Sequence, residues 1–237
     1  MSIDRNPGLG RRLFLRMTTA LFAAVGLPAL GAGYARAADA AVGEVTKLRG
    51  QARAARQGKN VMLAEGTKVM SGDGVVTGPD ARLKIQFLDG STITLGENSK
   101  LNIDKAAFDG SGKRDIAATL LDGIVRSVVA KASQGSSFQM SSSLVTSAAR
   151  STEWIVSIKD HTTALIVLEG VVAAKGVGET LSDLPNAPVS KGVDLKATQG
   201  LAVGEPARSI GLDAKDIGHP IVWKTERVDK LKAATDF

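Results

Sequence analysis

The side chains in this sequence that could do chemistry are few and scattered. Its only histidines are His161 and His219, and it has no cysteine. A zinc centre needs several His, Cys or carboxylate ligands converging on one ion, and two lone histidines without paired spacing do not supply them. The acids form no calcium loop, and there is no nucleophile elbow or phosphate-binding glycine loop. Gly135-Ser136-Ser137 and Ser141-Ser142-Ser143 are serine-rich, but no base is placed near them, and they read as solvated loops. Asp89-Gly90-Ser91 reads as a hairpin turn rather than a binding loop, because strands flank it on both sides. Glu153 precedes an apolar run and reads as a structural carboxylate that caps backbone N–H groups. The sequence therefore nominates no catalytic residue, no metal ligand and no cofactor, and it reads as a non-enzyme.

Short strands must position whatever the chain does. From Ala81 to Ile103, Leu83, Ile85 and Phe87 alternate with Arg82, Lys84 and Gln86, the period-two pattern of a strand with one face in a core. Asp89-Gly90 breaks that run. Ile93 and Leu95 resume it, and Leu101 and Ile103 begin a third strand after a second polar break. Further strands are expected over 42–48, 51–56, 61–63, 66–70 and 75–77. From Lys105 to Lys113 a polar loop is expected, then two strands around an Asp122-Gly123 turn within 116–129. Ile155 to Ile158 and Thr163 to Leu168 follow, the latter continuous enough to be covered on both faces. Val193 to Val203 is strand-like again. The end, from Glu226 to Phe237, either forms a short amphipathic helix on Val228 and Leu231 or frays.

A weak internal repeat recurs at uneven spacing: Leu48-Arg49-Gly50, Leu121-Asp122-Gly123 and Leu168-Glu169-Gly170, with Leu88-Asp89-Gly90 a looser relative. A strand that bends at glycine and continues on another face would produce it. The fold class expected is all-β: a twisted β-solenoid-like roll or a sandwich of short strands, with a short C-terminal helix as an option. Asp89-Gly90 is then one more corner, and Gly90→Val is expected to cost more stability than Asp89→Ala.

The first residues carry an address rather than structure. Arg11-Arg12-Leu13-Phe14-Leu15 precedes a modest apolar run and then Ala35-Arg36-Ala37, an A-x-A cleavage pattern. Arg11, Arg12, Phe14 and Leu15 match a twin-arginine export signal, with cleavage expected at Ala35 and Ala37. The apolar run falls short of the ~20 residues that span a bilayer. The formal charge of +6 comes largely from this segment, which holds five of the 30 basic residues and one of the 24 acids, leaving +2. That removes the main motive for nucleic-acid binding. Three segments follow from this reading: 1–37 as signal peptide, 38–176 as a β domain, and 177–237 as an extension with further strands and a short helix.

An ordered series of motifs then resembles the FecR-domain family, the periplasmic domain of ferric-citrate-type anti-sigma regulators. It runs from Gly43-Glu44-Val45 and Leu48-Arg49-Gly50 through Gly72-Asp73 and Leu83 to Ser91. It ends with Arg150-Ser151-Thr152-Glu153-Trp154 and Leu168-Glu169-Gly170-Val171-Val172. Ser151 stands where the family has Gly, and Trp154 where it has Phe. The resemblance implies structural roles for Gly50, Asp89, Gly90, Thr152, Glu153, Trp154, Glu169 and Gly170, with Trp154 in the core. It also implies protein interaction without catalysis. Family regulators carry a cytoplasmic anti-sigma segment and a transmembrane helix before this domain, and the sequence shows only the export signal in their place. Trp223, beside His219-Pro220, either anchors the tail or serves an interface. The function expected is a non-enzymatic exported module, periplasmic or secreted, that binds an envelope or periplasmic protein partner in signalling. The alternative is a periplasmic small-ligand or glycan-binding protein, against which the 4% aromatic content argues.

Overall fold

The computed structural model describes residues 40–131, 133–177, 193–203 and 218–237. Seventeen strands and one helix are present among them. The strands form two layers that share a single member. That member is β9 (Arg114–Val128), fifteen residues long.

One layer, sheet A, orders β4 (Lys68–Met70), β1 (Ala41–Arg49), β6 (Arg82–Phe87), β7 (Thr92–Leu95), the second half of β9, β12 (Glu153–Lys159), β13 (Thr162–Glu169), β16 (Gln199–Val203) and β17 (Ile221–Val222). The other, sheet B, orders β3 (Lys59–Met62), β2 (Ala52–Arg56), β5 (Gly74–Thr77), β8 (Lys100–Phe108), the first half of β9, β10 (Ser137–Ser141), β11 (Val145–Ala149), β14 (Val171–Gly176) and β15 (Val193–Lys196). All pairings are antiparallel except β9 with β10. Neither layer closes on itself among the described residues. β15 and β16 pair with β14 and β13, so this part of the tail continues the same two sheets.

The alternating strands turn one face of each sheet inward. Leu83, Ile85, Leu95, Ile116, Leu120, Met140, Leu165, Val167 and Leu201 meet there, all essentially inaccessible to solvent. With so few aromatics the core is aliphatic, apart from one edge-to-face line. Phe138 packs between Phe87 and Trp154, with ring centroids 6.2 and 5.6 Å apart. Trp154 is fully buried.

Two expectations are corrected around β9. The segment 116–129 is one strand, not a hairpin. Gly123 has φ +86 and lets the chain pass from sheet B to sheet A without reversing. Even-numbered residues Ile116, Ala118 and Leu120 face inward before it, and odd-numbered Val125 and Val129 after it. One residue of the alternation is consumed at the corner. A Cβ on Gly123 would collide with Ser99 Oγ and lie 2.6 Å from Ser99 Cα, so only glycine fits. The polar stretch 105–113 is loop only in its second part: β8 runs to Phe108, and a tight turn bound by Asp109 accounts for the rest.

Gly50 and Gly170 sit at the equivalent passages from β1 to β2 and from β13 to β14, as the repeat suggests. Asp89-Gly90 does not. It joins β6 to β7 within sheet A, as an ordinary hairpin turn.

The helix, α1 (Thr225–Ala233), lies on the outer face of sheet A. Val228 and Leu231 pack with Ile124, Ile155 and Ile166 in a second, smaller cluster. This is why β13 is buried from Thr162 to Val167 without alternation. A nine-residue helix is marginal alone and depends on that docking. No helix among the described residues is long and apolar enough to cross a membrane.

Candidate interaction surface

The buried charges of this fold are structural. Arg114 begins β9 with its side chain almost wholly enclosed. One guanidinium nitrogen donates to Asp89 Oδ2, and the other terminal nitrogen to the Ala130 carbonyl at 2.8 Å. Asp89 also accepts from Ser91 N at 3.0 Å and Ser91 Oγ at 2.6 Å. The β6–β7 turn is thus latched to both ends of the β9 region. Nothing in the local sequence around Arg114 announces a buried cation, so this partner of Asp89 was not legible. A second pair is bidentate: Arg56 donates to Asp73 Oδ1 and Oδ2 at 2.8 and 2.7 Å, and fully buried Asp73 also accepts from Met70 N. The Asp73 hydrogen bonds raise the Arg56 guanidinium above its ordinary value.

Thr152 packs against the Gly170 corner and donates to the Arg150 carbonyl at 2.7 Å. Ser151, in the family's glycine position, has φ +49. Glu153 does not cap backbone N–H groups. It accepts from Arg126 Nε at 2.6 Å, because β12 lies beside β9 and puts the two side chains on one face. Glu169 is exposed at the end of β13, before Gly170. Arg11, Arg12, Phe14, Leu15, Ala35 and Ala37 lie outside the described residues. The described residues contain no group of three potential metal ligands. Trp223 is an anchor: it is 7% exposed, sits over the backbone of Gly200, and carries Arg227 4.2 Å above its ring. Burial holds the Arg227 guanidinium below its ordinary value.

Each sheet also has an outer face. The outer face of sheet B carries short side chains in register: Ala117, Gln139, Ala148 and Ala173 stand side by side on four neighbouring strands. The outer face of sheet A carries cations in the half nearer β1. Lys47 stands opposite Lys84, and Arg49 opposite Arg82. Arg126 lies in the same row as Lys84, one strand beyond Thr94. The C-terminal residues lie along this face. Arg82 donates to the carbonyls of Ala233 and Ala234, Arg126 pairs with Asp236, and Lys47 stands 5.6 Å from the Phe237 ring. Beside α1 a cavity of about 640 Å³ is lined by Ile124, Ile158 and Leu231 and rimmed by Glu97, Lys159 and Lys230. No aromatic ring lines it.

The described residues form two β layers joined by β9. The sequence profile of the family described as FecR protein matches residues 73–173. The match runs from the start of β5 into β14 and has β9 at its middle. It begins at Asp73, later than the motif series traced from Gly43. Two crystal structures of a protein described as an anti-sigma factor, from Parabacteroides distasonis ATCC 8503, are similar to this chain. Their TM-scores are 0.41 and 0.43 at 13% and 12% identity, and each alignment covers 55% of this chain and 54% of the other. This chain therefore spans about half the length of those structures. No curated protein matches it.

Proposed function

We propose that the protein is a non-enzymatic, exported protein-interaction module of envelope signalling. The observation that carries this reading is the FecR match over residues 73–173, which takes in β9 and its hydrogen-bonded neighbours in both sheets. The twin-arginine pattern of Arg11 and Arg12 and the A-x-A site at Ala35 and Ala37 supply the address, outside the cytoplasmic membrane. The partner is an envelope or periplasmic protein, met on a sheet face or a strand edge. In that scheme residues 1–37 are removed, 38–176 form the recognition domain, and 177–237 extend it.

Two experiments test this. Fractionation of cells expressing the chain should place it outside the cytoplasmic membrane, and Arg11→Lys with Arg12→Lys should retain it inside. In-cell cross-linking followed by affinity purification should recover one partner in near-stoichiometric amount. A chain that stays cytoplasmic, or that cross-links to nothing specific, refutes the proposal. The cavity beside α1 favours a second reading, a small apolar ligand with a charged end. Its lack of aromatic walls speaks against a glycan, and a thermal-shift screen separates the two readings.

A further inference from the structure

We propose that the cationic half of the sheet A outer face is a docking groove for an acidic, aromatic-bearing peptide segment of a protein partner, and that the chain's own C-terminus occupies it in cis. This deepens the proposed interaction function and rests on it.

The groove has a volume of about 430 Å³ and is walled by Lys47, Lys84, Thr92, Thr94, Arg126 and Val128. Lys47, Lys84, Thr94 and Arg126 form one cross-strand row over β1, β6, β7 and β9. The row spans about 14 Å at the usual strand spacing, the reach of four or five extended residues. Like charges directly opposite one another destabilise a sheet, yet β1 and β6 present two such pairs, Lys47 with Lys84 and Arg49 with Arg82. Neither Lys47 nor Lys84 forms an ion pair with any described residue. Of the carboxylates, Glu153 and Asp236 both go to Arg126. Positive charge on this face thus exceeds what the described residues neutralise, and it awaits an anion.

The tail shows which anion fits. Thr235, Asp236 and Phe237 line the groove. Asp236 places its carboxylate on Arg126, and the Phe237 ring lies beneath the Lys47 ammonium. An acid followed by an aromatic is therefore accommodated, with Lys84 left over for a second acid. A trans peptide carrying several acidic side chains competes with a cis segment in which Asp236 is the one acidic side chain lining the groove. The seated tail lowers the apparent affinity by the fraction of time it occupies the groove.

The test uses the full chain and a fluorescein-labelled peptide, Asp-Asp-Thr-Asp-Phe, with Asn-Asn-Thr-Asn-Phe as control, read by anisotropy. The acidic peptide should bind, and Asp236→Ala should tighten it by about tenfold as the cis competitor is released. Lys84→Glu should weaken it by about tenfold or more, and added salt should weaken it further. Lys84→Glu also relieves the clash with Lys47, so it should fold, which circular dichroism checks; Lys47→Ser is the second variant. Equal binding of the two peptides, or binding unchanged by Lys84→Glu and Lys47→Ser, overturns the proposal. So does sedimentation with phosphatidylglycerol vesicles, through Lys84, by a chain that ignores the peptide. A cross-linked partner recovered equally by the wild type and by Lys84→Glu would refute the groove while leaving the interaction function standing.

Discussion

Replacing Asp89 by alanine tests the latch between the β6–β7 turn and β9. Arg114 has a side chain 1% exposed and Asp89 one 10% exposed, so the pair is held almost out of water. Without Asp89 the guanidinium keeps the Ala130 carbonyl, and its Nε already finds no hydrogen-bond partner among the described residues. Breaking a buried pair on one side costs about 3–5 kcal/mol, because the remaining charge stays desolvated. For a chain of this size that lowers Tm by roughly 6–20 °C. Gly90→Val should cost less, about 1–2 kcal/mol. The glycine has φ +84, but nothing lies within 4 Å of a Cβ there, so backbone strain is the whole penalty. This reverses the order that the sequence suggests. Urea denaturation of both variants reads the difference directly. Adding Arg114→Met to Asp89→Ala should recover most of the loss, since an apolar side chain of similar length removes the stranded charge. An Asp89→Ala chain within about 1 kcal/mol of wild type, or a double variant no better than the single, would refute the reasoning.

Three further outcomes follow from the same geometry. Ser151→Gly should stabilise the protein by about 0.5–1 kcal/mol, because φ +49 strains a serine and suits glycine; thermal unfolding checks it. Gly123→Ala should cost more than about 3 kcal/mol, adding collision with buried Ser99 to strain at φ +86. Gly58→Ala, at φ +76 with open space around it, should cost only about 1 kcal/mol, and denaturant titration compares the two. Hydrogen bonds from Lys105 and Ser137 hold the Asp115 carboxyl below its ordinary value of 3.8. The folded pKa lies below the unfolded one, so the pair's contribution is full above about pH 4 and is lost as pH falls further. The gap between wild type and Asp115→Asn should therefore hold from pH 6 to about pH 4 and narrow as pH falls below that. It should stay under about 1 kcal/mol throughout, because the pair is solvent-screened.

The parts of the fold that were legible in the sequence obey local rules. Alternation in 82–87 and 92–95 gave β6 and β7, and glycine after a polar residue marked the passages at Gly50 and Gly170. The continuous apolar run of β13 foretold cover on both faces, and α1 supplies it on the outer one. The same local signal failed where two geometries share one dipeptide. Asp89-Gly90 reverses the chain inside a sheet, while Asp122-Gly123 carries it between sheets. What separates them is whether Ser99 of the β7–β8 connection crowds the glycine, a contact made from 24 residues away in the chain. Glu153 and Asp89 found their partners, Arg126 and Arg114, for the same reason: both pairings are set by strand order. The cationic row is invisible in the sequence because Lys47, Lys84 and Arg126 become neighbours only through register.

Strand β9 is the fifth of nine in each sheet, and this has a consequence for how the chain is assembled. Every strand before it lies on one side of it in both sheets, and every strand after it on the other. Without β9, the sheets built from β1 to β8 would have bare edges at β7 and β8 besides those at β4 and β3. Once in place, β9 satisfies the edges at β7 and β8 at a stroke and presents two new ones as templates for β10 and β12. Among the described strands, β9 alone is therefore hydrogen-bonded to strands of both halves of the chain. A chain interrupted just before Arg114 would add open edges at β7 and β8 to those at β3 and β4, and open strand edges favour self-association.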